Sequence, residues 1–217
     1  MARRCGFTKW ELLAVYAAVG ILVMFIFPMI WPQPPRQNAR RASCQSNLKQ
    51  VSLGMLQYAQ DFDERFPLTN LNDASISETN PLGWVDALYP FTKSNQIFWC
   101  PCQEASGQRN SSTTKPSDRD YTDYFLNRRL AGIDTEKNNL SPFTIMLGEG
   151  NDGTDAANAR YSLSTLPPAW IANKESPLYR HLEGANYAFA DGHVKWYKPT
   201  AITNKKPDVN IPTFAIK

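Results

Sequence analysis

The sequence has few of the residues and motifs by which enzymes are usually recognised. Its 217 residues include only two histidines, His181 and His193. It has no Gly-rich phosphate loop, no nucleophile elbow and no Cys/His cluster with zinc spacing. Cys100-Pro-Cys102 is too sparse for a metal knuckle. We therefore expect the chain not to be an enzyme.

An excess of charge of one sign is also lacking, as are internal repeats and extended low-complexity tracts. The 23 basic and 20 acidic residues give a net charge of +3, which does not support nucleic-acid binding. What the chain does have is 42% hydrophobic and 12% aromatic residues, enough for a packed core. Its 16 prolines against 11 glycines indicate a loop-rich body.

The longest apolar run extends from Leu12 to Trp31 and contains no charged residue. At about 1.5 Å per residue, a helix of this length crosses a hydrocarbon core of about 30 Å. Tyr16 and Trp31 near the ends, and the lack of a polar face, favour a membrane span over a buried core helix. The run exceeds the usual length of a signal peptide's apolar region and no A-x-A cleavage site follows it, so we expect it to be retained.

The residues around this run form a second pattern. A short basic leader ends at Gly6, Phe7 follows it, Glu11 precedes the apolar run, and Pro28 lies near the end of the run. The pattern resembles the N-terminus of type IV pilins and pseudopilins. In that family a prepilin peptidase cleaves after the Gly, and the Phe becomes the methylated N-terminus. The resemblance makes Gly6 and Phe7 the processing site and Glu11 and Pro28 the residues of assembly.

Downstream segments narrow the resemblance. They are "SCQSNLKQ", "YAQDFDERFP", "IFWCP" and a C-terminal His-x9-Asp-Gly motif formed by His181, Asp191 and Gly192. Together they are similar to the DUF1559-like group of bacterial prepilin-type proteins. The chain departs from the wider pilin pattern at Lys9 and Trp10, where that family usually has apolar residues.

The resemblance implies an α+β, pilin-like fold, with a long N-terminal helix packed on a C-terminal body that has an antiparallel β-sheet. Its expected parts are a leader (1–6), a helix (7–66) and a globular β-rich body (67–217). Within the helix, residues 7–31 would span the membrane and residues 36–64 would be amphipathic.

The implied function is that of a structural subunit of a bacterial filament or a type II secretion-like apparatus. It would be anchored in the cytoplasmic membrane by a single span, with its body extracytoplasmic, and it would assemble with copies of itself or with other pseudopilins. It would need no cofactor. The alternative is a membrane-anchored extracytoplasmic metal-dependent enzyme or ligand-binding module that uses the region of His181, Asp191 and Glu149.

Apolar spacing predicts the amphipathic part of the helix independently of the resemblance. One face carries Cys44, Leu48, Val51, Met55, Tyr58 and Phe62. The stripe runs for fewer than three heptads, which favours packing on the protein's own body over a coiled-coil seam. Pro67 is the expected stop.

An Asp-Gly pair between alternating apolar residues predicts a β-hairpin with a type I′ turn at Asp191 and Gly192. This register pairs Phe189 with Val194, and Tyr187 with Trp196, on one core-facing side. It places His193 on the opposite, solvated face. For His181 three alternatives remain: a hydrogen-bonding anchor, which we favour, a metal centre with Asp191 and His193, and simple exposure.

A further prediction concerns a loop that is rich in oxygen-bearing side chains. The segment "GEGNDGTD" offers oxygen ligands for calcium at Glu149, Asn151, Asp152 and Asp155, although a solvated loop is the favoured interpretation.

If Cys5 leaves with the leader, three cysteines enter an oxidising compartment. Cys44 faces the body and Cys100 follows the apolar "IFW", whereas Cys100 and Cys102 are too close in sequence to pair comfortably. We predict a Cys44–Cys100 disulfide with Cys102 left over.

Overall fold

A computed structural model describes residues 9–30, 35–69, 82–104, 115–138, 140–206 and 210–216. The chain divides into two compact units, Met1–Arg36 and Gln37–Lys217. Gly6 and Phe7, the predicted processing site, lie outside the described residues.

The first unit contains helix α1, Lys9–Ile30. Pro28 is part of it, and Glu11 lies in its first turn. The window Lys9–Ile26 is long and apolar enough to cross a membrane, and none of it is buried. A helix that is apolar on all sides is stable only where protein or lipid covers it, not in water.

The second unit combines one long helix with short helices and a sheet. The helices are α2 (Pro35–Asp61), α3 (Trp84–Ala87), α4 (Tyr89–Thr92), α5 (Pro101–Glu104) and α6 (Pro168–Ala172). The strands are β1 (Tyr124–Asn127), β2 (Ile145–Glu149), β3 (Ser162–Leu163), β4 (Ala185–Phe189) and β5 (Val194–Tyr197). Short 3-10 turns occupy Gln96–Phe98, Arg128–Leu130, Pro177–Tyr179 and Pro199–Ala201. The predicted α+β class is confirmed.

The strands form one mixed sheet in the order β3-β1-β2-β4-β5. The β1–β2, β2–β4 and β4–β5 pairs are antiparallel, whereas β1 and β3 are parallel. The expectation of an antiparallel sheet therefore holds except at the β3 edge. Strands β1, β2 and β4 are buried along their whole length.

Helix α2 contributes its predicted stripe to the core. Its fully buried apolar residues are Cys44, Leu48, Val51 and Met55. Leu48, Val51 and Met55 pack with Tyr124, Leu126, Leu147 and Ala188 of β1, β2 and β4. The last two stripe residues differ from the prediction: Tyr58 is half-buried and Phe62 is 51% exposed. The helix ends earlier than predicted, at Asp61, because Asp63 and Glu64 adopt left-handed backbone conformations.

The C-terminal hairpin exists, but its predicted register was wrong by one residue. Ala188 pairs with Val194 and Tyr187 with Lys195. The N–H of Gly192 donates to the carbonyl of Phe189 (2.8 Å), and the N–H of Phe189 donates to the carbonyl of His193 (2.9 Å). Of the loop residues only Gly192 has a positive φ, 84°, which is typical of a three-residue loop rather than a type I′ turn.

The register change also corrects the faces of the hairpin. Phe189 and Val194 lie on opposite faces of the sheet, in different core clusters. His193 shares a side with Phe189 and stacks on its ring, with centroids 4.3 Å apart.

Candidate functional site

The imidazole of His181 lies at the centre of a buried group of sulfur atoms and one carboxylate. Its Nε2 is 3.0 Å from Oε1 of Glu149 and 3.5 Å from Sγ of Cys100. Its Nδ1 is 3.8 Å from Sγ of Cys102. Cys44, bonded to Cys100, completes the group. We call Cys44, Cys100, Cys102 and His181 the sulfur–imidazole cluster.

A disulfide joins Cys44 to Cys100, the pair expected from the sequence, with Cα atoms 5.2 Å apart. It connects the buried face of α2 to the segment before α5, across a sequence separation of 56 residues. Closing a loop of that length stabilises the fold by about 4 kcal/mol in the chain-entropy model. Cys102, in α5, is a free and partly buried thiol.

The backbone around the disulfide is held by the side chains of Asp123 and Tyr124, at the start of β1. The N–H of Cys100 donates to Oδ2 of Asp123 (2.7 Å). The hydroxyl of Tyr124 lies 3.4 Å from the carbonyl oxygens of both Cys44 and Trp99. Burial, followed by the negative charges of Glu149 and Asp123, raises the pKa of Tyr124 well above its usual value. Tyr124 is therefore a neutral donor at every physiological pH.

A tight turn positions His181. Its N–H donates to the carbonyl of Gly184 (2.9 Å), and its carbonyl accepts from the indole Nε1–H of Trp196 (2.7 Å). Leu182 and Glu183, between them, have φ values of 54° and 64°. Two successive left-handed residues that are not glycine are unusual and cost stability. The packing around the turn must offset that cost, which indicates that the position of His181 is tightly fixed.

Glu149 ends β2 with a fully buried side chain. Its Oε2 accepts the N–H of Asn186 (3.0 Å), and its Oε1 accepts the side-chain amide of the same residue (2.9 Å). Burial alone would lower the pKa of His181, but the contacts with Cys102 and Glu149 outweigh it and raise the pKa to about 9. His181 is thus the hydrogen-bonding anchor that we favoured, and its partner is the buried carboxyl group of Glu149.

The cluster also holds donors suited to a metal. One ligand atom from each of its four residues lies within 4.8 Å of all the others. Thiolate and imidazole groups are ligands of zinc and related ions. In the disulfide form only Cys102 and His181 remain as donors, so metal binding by all four residues requires thiols at Cys44 and Cys100.

The other residues of the His-x9-Asp-Gly motif lie elsewhere and have structural contacts. Nδ1 of His193 is 2.6 Å from Oδ1 of Asp191 on the exposed turn. The carbonyl of Gly192 accepts from Nζ of Lys49 (2.6 Å) and from Oγ of Ser52 (3.1 Å) of α2. The structure does not bring the ring of His181 to this pair, so the motif is two separate anchors of the β4–β5 region.

The residues considered for calcium are each engaged within the protein. Asn151 donates its side-chain amide to Asp120 and Asp123. Oδ1 of Asp152 accepts from the backbone and hydroxyl of Thr154, and its Oδ2 accepts from the indole of Trp170 (2.7 Å).

Asp155 and Glu149, the other two calcium candidates, also have partners within the protein. Oδ2 of Asp155 accepts the hydroxyl proton of Tyr161 (2.6 Å). Glu149 binds Asn186 and His181 instead of the loop. Residues 152–154 are exposed, as expected of a solvated loop, whereas 149–151 are buried.

Sequence reasoning missed the cluster because its members are distant in the chain. Cys102 and His181 are 79 residues apart. The Cys100-Pro-Cys102 spacing was the available signal, and local spacing alone gave no reason to join it to Cys44 and His181.

Comparison with known families gives one match. A family model described as a protein of unknown function (DUF1559) matches residues 33–98, less than half of the chain. The matched region covers α2 and ends before Cys100, and it supports the resemblance to the DUF1559-like group. No curated protein and no solved structure matches the chain.

Proposed function

We propose that the chain is a pilin-like structural subunit, anchored in a bacterial cytoplasmic membrane and assembled through its N-terminal helix. The observation that carries the proposal is the exposure of α1. Its apolar side chains are exposed: the exposed fraction is 81% for Trp10, 77% for Met24 and 76% for Phe25. Removing this much apolar surface from water requires lipid or the helices of other subunits.

Helix α2 differs from α1 in a way that supports this division of roles. Its apolar stripe is already buried against the sheet. The partnering surface therefore belongs to α1, while α2 belongs to the folded body. A disulfide in that body is in keeping with an extracytoplasmic location, since disulfides persist in oxidising compartments.

Glu11 is the acidic residue at the start of the span. A carboxylate inside a bilayer is unfavourable by up to about 3 kcal/mol on insertion scales, and less near a helix end. The resemblance to pilins implies a partner for it: after cleavage behind Gly6, the new amine of Phe7 on a neighbouring subunit.

The first test is processing. Intact mass spectrometry of the membrane-purified protein should show a chain that begins at Phe7 and carries an N-methyl group. Gly6→Leu is expected to block the cut. A retained Met1, or cleavage after Trp31, would contradict the proposal.

The second test is assembly. Glu11→Ala should insert and fold but crosslink to wild-type subunits far less than wild type does, after normalisation to membrane abundance. Lys9→Ala removes a charge from the same helix end and is the matched control, with incorporation expected to persist. Equal incorporation of both variants would show that Glu11 has only an interfacial role.

A further inference from the structure

The sulfur–imidazole cluster contains more chemistry than a structural disulfide requires. Cys44, Cys100 and His181 are buried, and the partly buried thiol of Cys102 completes a set of four donors within 4.8 Å of one another. The disulfide uses two of them, and the remaining two, the thiol of Cys102 and Nδ1 of His181, lie 3.8 Å apart, while Nε2 of His181 contacts Glu149. We propose that, when Cys44 and Cys100 are thiols, the cluster binds one divalent cation of the zinc class.

The donor set fits that class of ion. Three thiolates and one imidazole form a Cys3His site, a common composition of structural zinc sites, in which four protein ligands close a tetrahedron. Soft thiolates disfavour magnesium and calcium, which prefer oxygen ligands. With four protein donors the site would be closed, so it would stabilise structure and would not activate water.

The surroundings of His181 provide an independent second observation. Its Nε2 lies 3.0 Å from the buried carboxylate of Glu149, which Asn186 holds through two hydrogen bonds. Metal-binding histidines usually donate their second N–H to such a carboxylate, which fixes the tautomer and the ring orientation. Nδ1, on the side of Cys102, is then the ligand atom.

The metal and the disulfide are alternative states of the same residues. Formation of the Cys44–Cys100 bond transfers two electrons to an oxidant, such as a protein disulfide; it releases the cation from the metal-bound thiolates, or two protons from the free thiols. The reverse step takes two electrons and two protons from a dithiol, or two electrons from a phosphine, with water supplying the two protons and the oxygen of the phosphine oxide. A newly made chain carries thiols, so the metal-binding form precedes the oxidised form and protects the three sulfur atoms from incorrect pairing.

The test uses full-length protein in detergent, with Cys5→Ser as the background so that the leader thiol does not contribute. The protein is reduced with a phosphine under anaerobic conditions and titrated with Co2+. We expect one Co2+ per chain, with thiolate charge-transfer bands and the strong d–d bands of a tetrahedral site, and displacement of Co2+ by Zn2+. The oxidised protein should give neither band. Absence of these bands in folded, reduced protein would overturn the proposal.

Variants identify the ligands. Cys102→Ser, which leaves the disulfide pair intact, should weaken Co2+ binding at least tenfold and reduce the charge-transfer intensity. Glu149→Gln should keep the tetrahedral spectrum but bind about 10–100-fold more weakly. His193→Gln changes the other histidine and should bind as the background does. If Cys102→Ser binds Co2+ as tightly as the background, the assignment is wrong.

Discussion

Gly192 combines two constraints at one position. Its φ is 84°, and a Cβ at this position would lie 2.7 Å from Cδ1 of Leu56. Its carbonyl oxygen accepts hydrogen bonds from Lys49 and Ser52 of α2. The turn is thus pressed against α2, and the Asp-Gly pair serves packing as well as chain reversal.

We expect Gly192→Ala to destabilise the body more than Gly153→Ala does. Both glycines have nearly the same left-handed φ, 84° and 82°, but Gly153 has no atom within 4 Å of an added Cβ. The backbone term, about 1–2 kcal/mol, is common to both, and Gly192 adds an overpacking term of about 1 kcal/mol or more. Urea unfolding measures the difference. Equal losses of stability in the two variants would mean that the side chain of Leu56 moves aside at no measurable cost.

Asp152 makes the stability of the 150–155 loop dependent on pH. Burial would raise the pKa of its carboxyl, but hydrogen bonds from Thr154, Trp170 and Asp155 lower it overall. A carboxyl with a folded pKa below its unfolded value of about 3.9 stabilises the fold above that value. The stabilisation is lost as the pH falls through the folded pKa.

Asp152→Asn should therefore cost stability at neutral pH and flatten the loss of stability below about pH 4. The asparagine amide would also face the indole donor of Trp170. Urea midpoints measured from neutral to acidic pH check this. Identical acid profiles of variant and wild type would refute the role of the carboxylate.

At the level of elements, the two faces of α2 differ in what they contribute. Leu48 is fully buried in the core and Leu53 is 45% exposed. Leu48→Ala should cost about 2–5 kcal/mol because it leaves a cavity. Leu53→Ala, the same chemical change on the same helix, should stay within about 0.5 kcal/mol. Chemical denaturation of the two variants tests the packing, and similar losses would contradict the docking of α2 on the sheet.

Elements whose signal is local were predicted well. The α2 stripe, for example, follows from helical spacing between Cys44 and Met55. The hairpin register was wrong because Asp191-Gly192 is compatible with more than one loop length. In the observed loop Gly192 lies against Lys49 and Leu56 of α2, which are more than 130 residues away in the sequence and so give no local signal.

The cluster illustrates the same limit. No spacing rule joins Cys102 to His181, since only the folded sheet brings α5 and the turn before β4 together.

At the level of the whole molecule, the second unit has the components of an independent domain. Residues 37–217 expressed without α1 should be soluble and should keep the thermal transition that the body has in the full-length protein. The matched control begins at residue 62 and lacks α2; it should be unfolded by near-ultraviolet circular dichroism because the core loses Leu48, Val51 and Met55. A folded control would show that α2 is dispensable.

The docking of α2 on the hairpin also means that the body cannot complete its fold until the end of the chain is available. Gln45 bonds to Val194, and Lys49 to Gly192, across 149 and 143 residues of sequence. Such non-local contacts slow folding, because a long loop must close before they form. During synthesis α2 emerges early, yet its partners on β4 and β5 emerge near the end. The apolar face of α2 packs on β1, β2 and β4, so its burial stays incomplete until β4 has emerged, and synthesis that stops before β4 leaves an aggregation-prone chain.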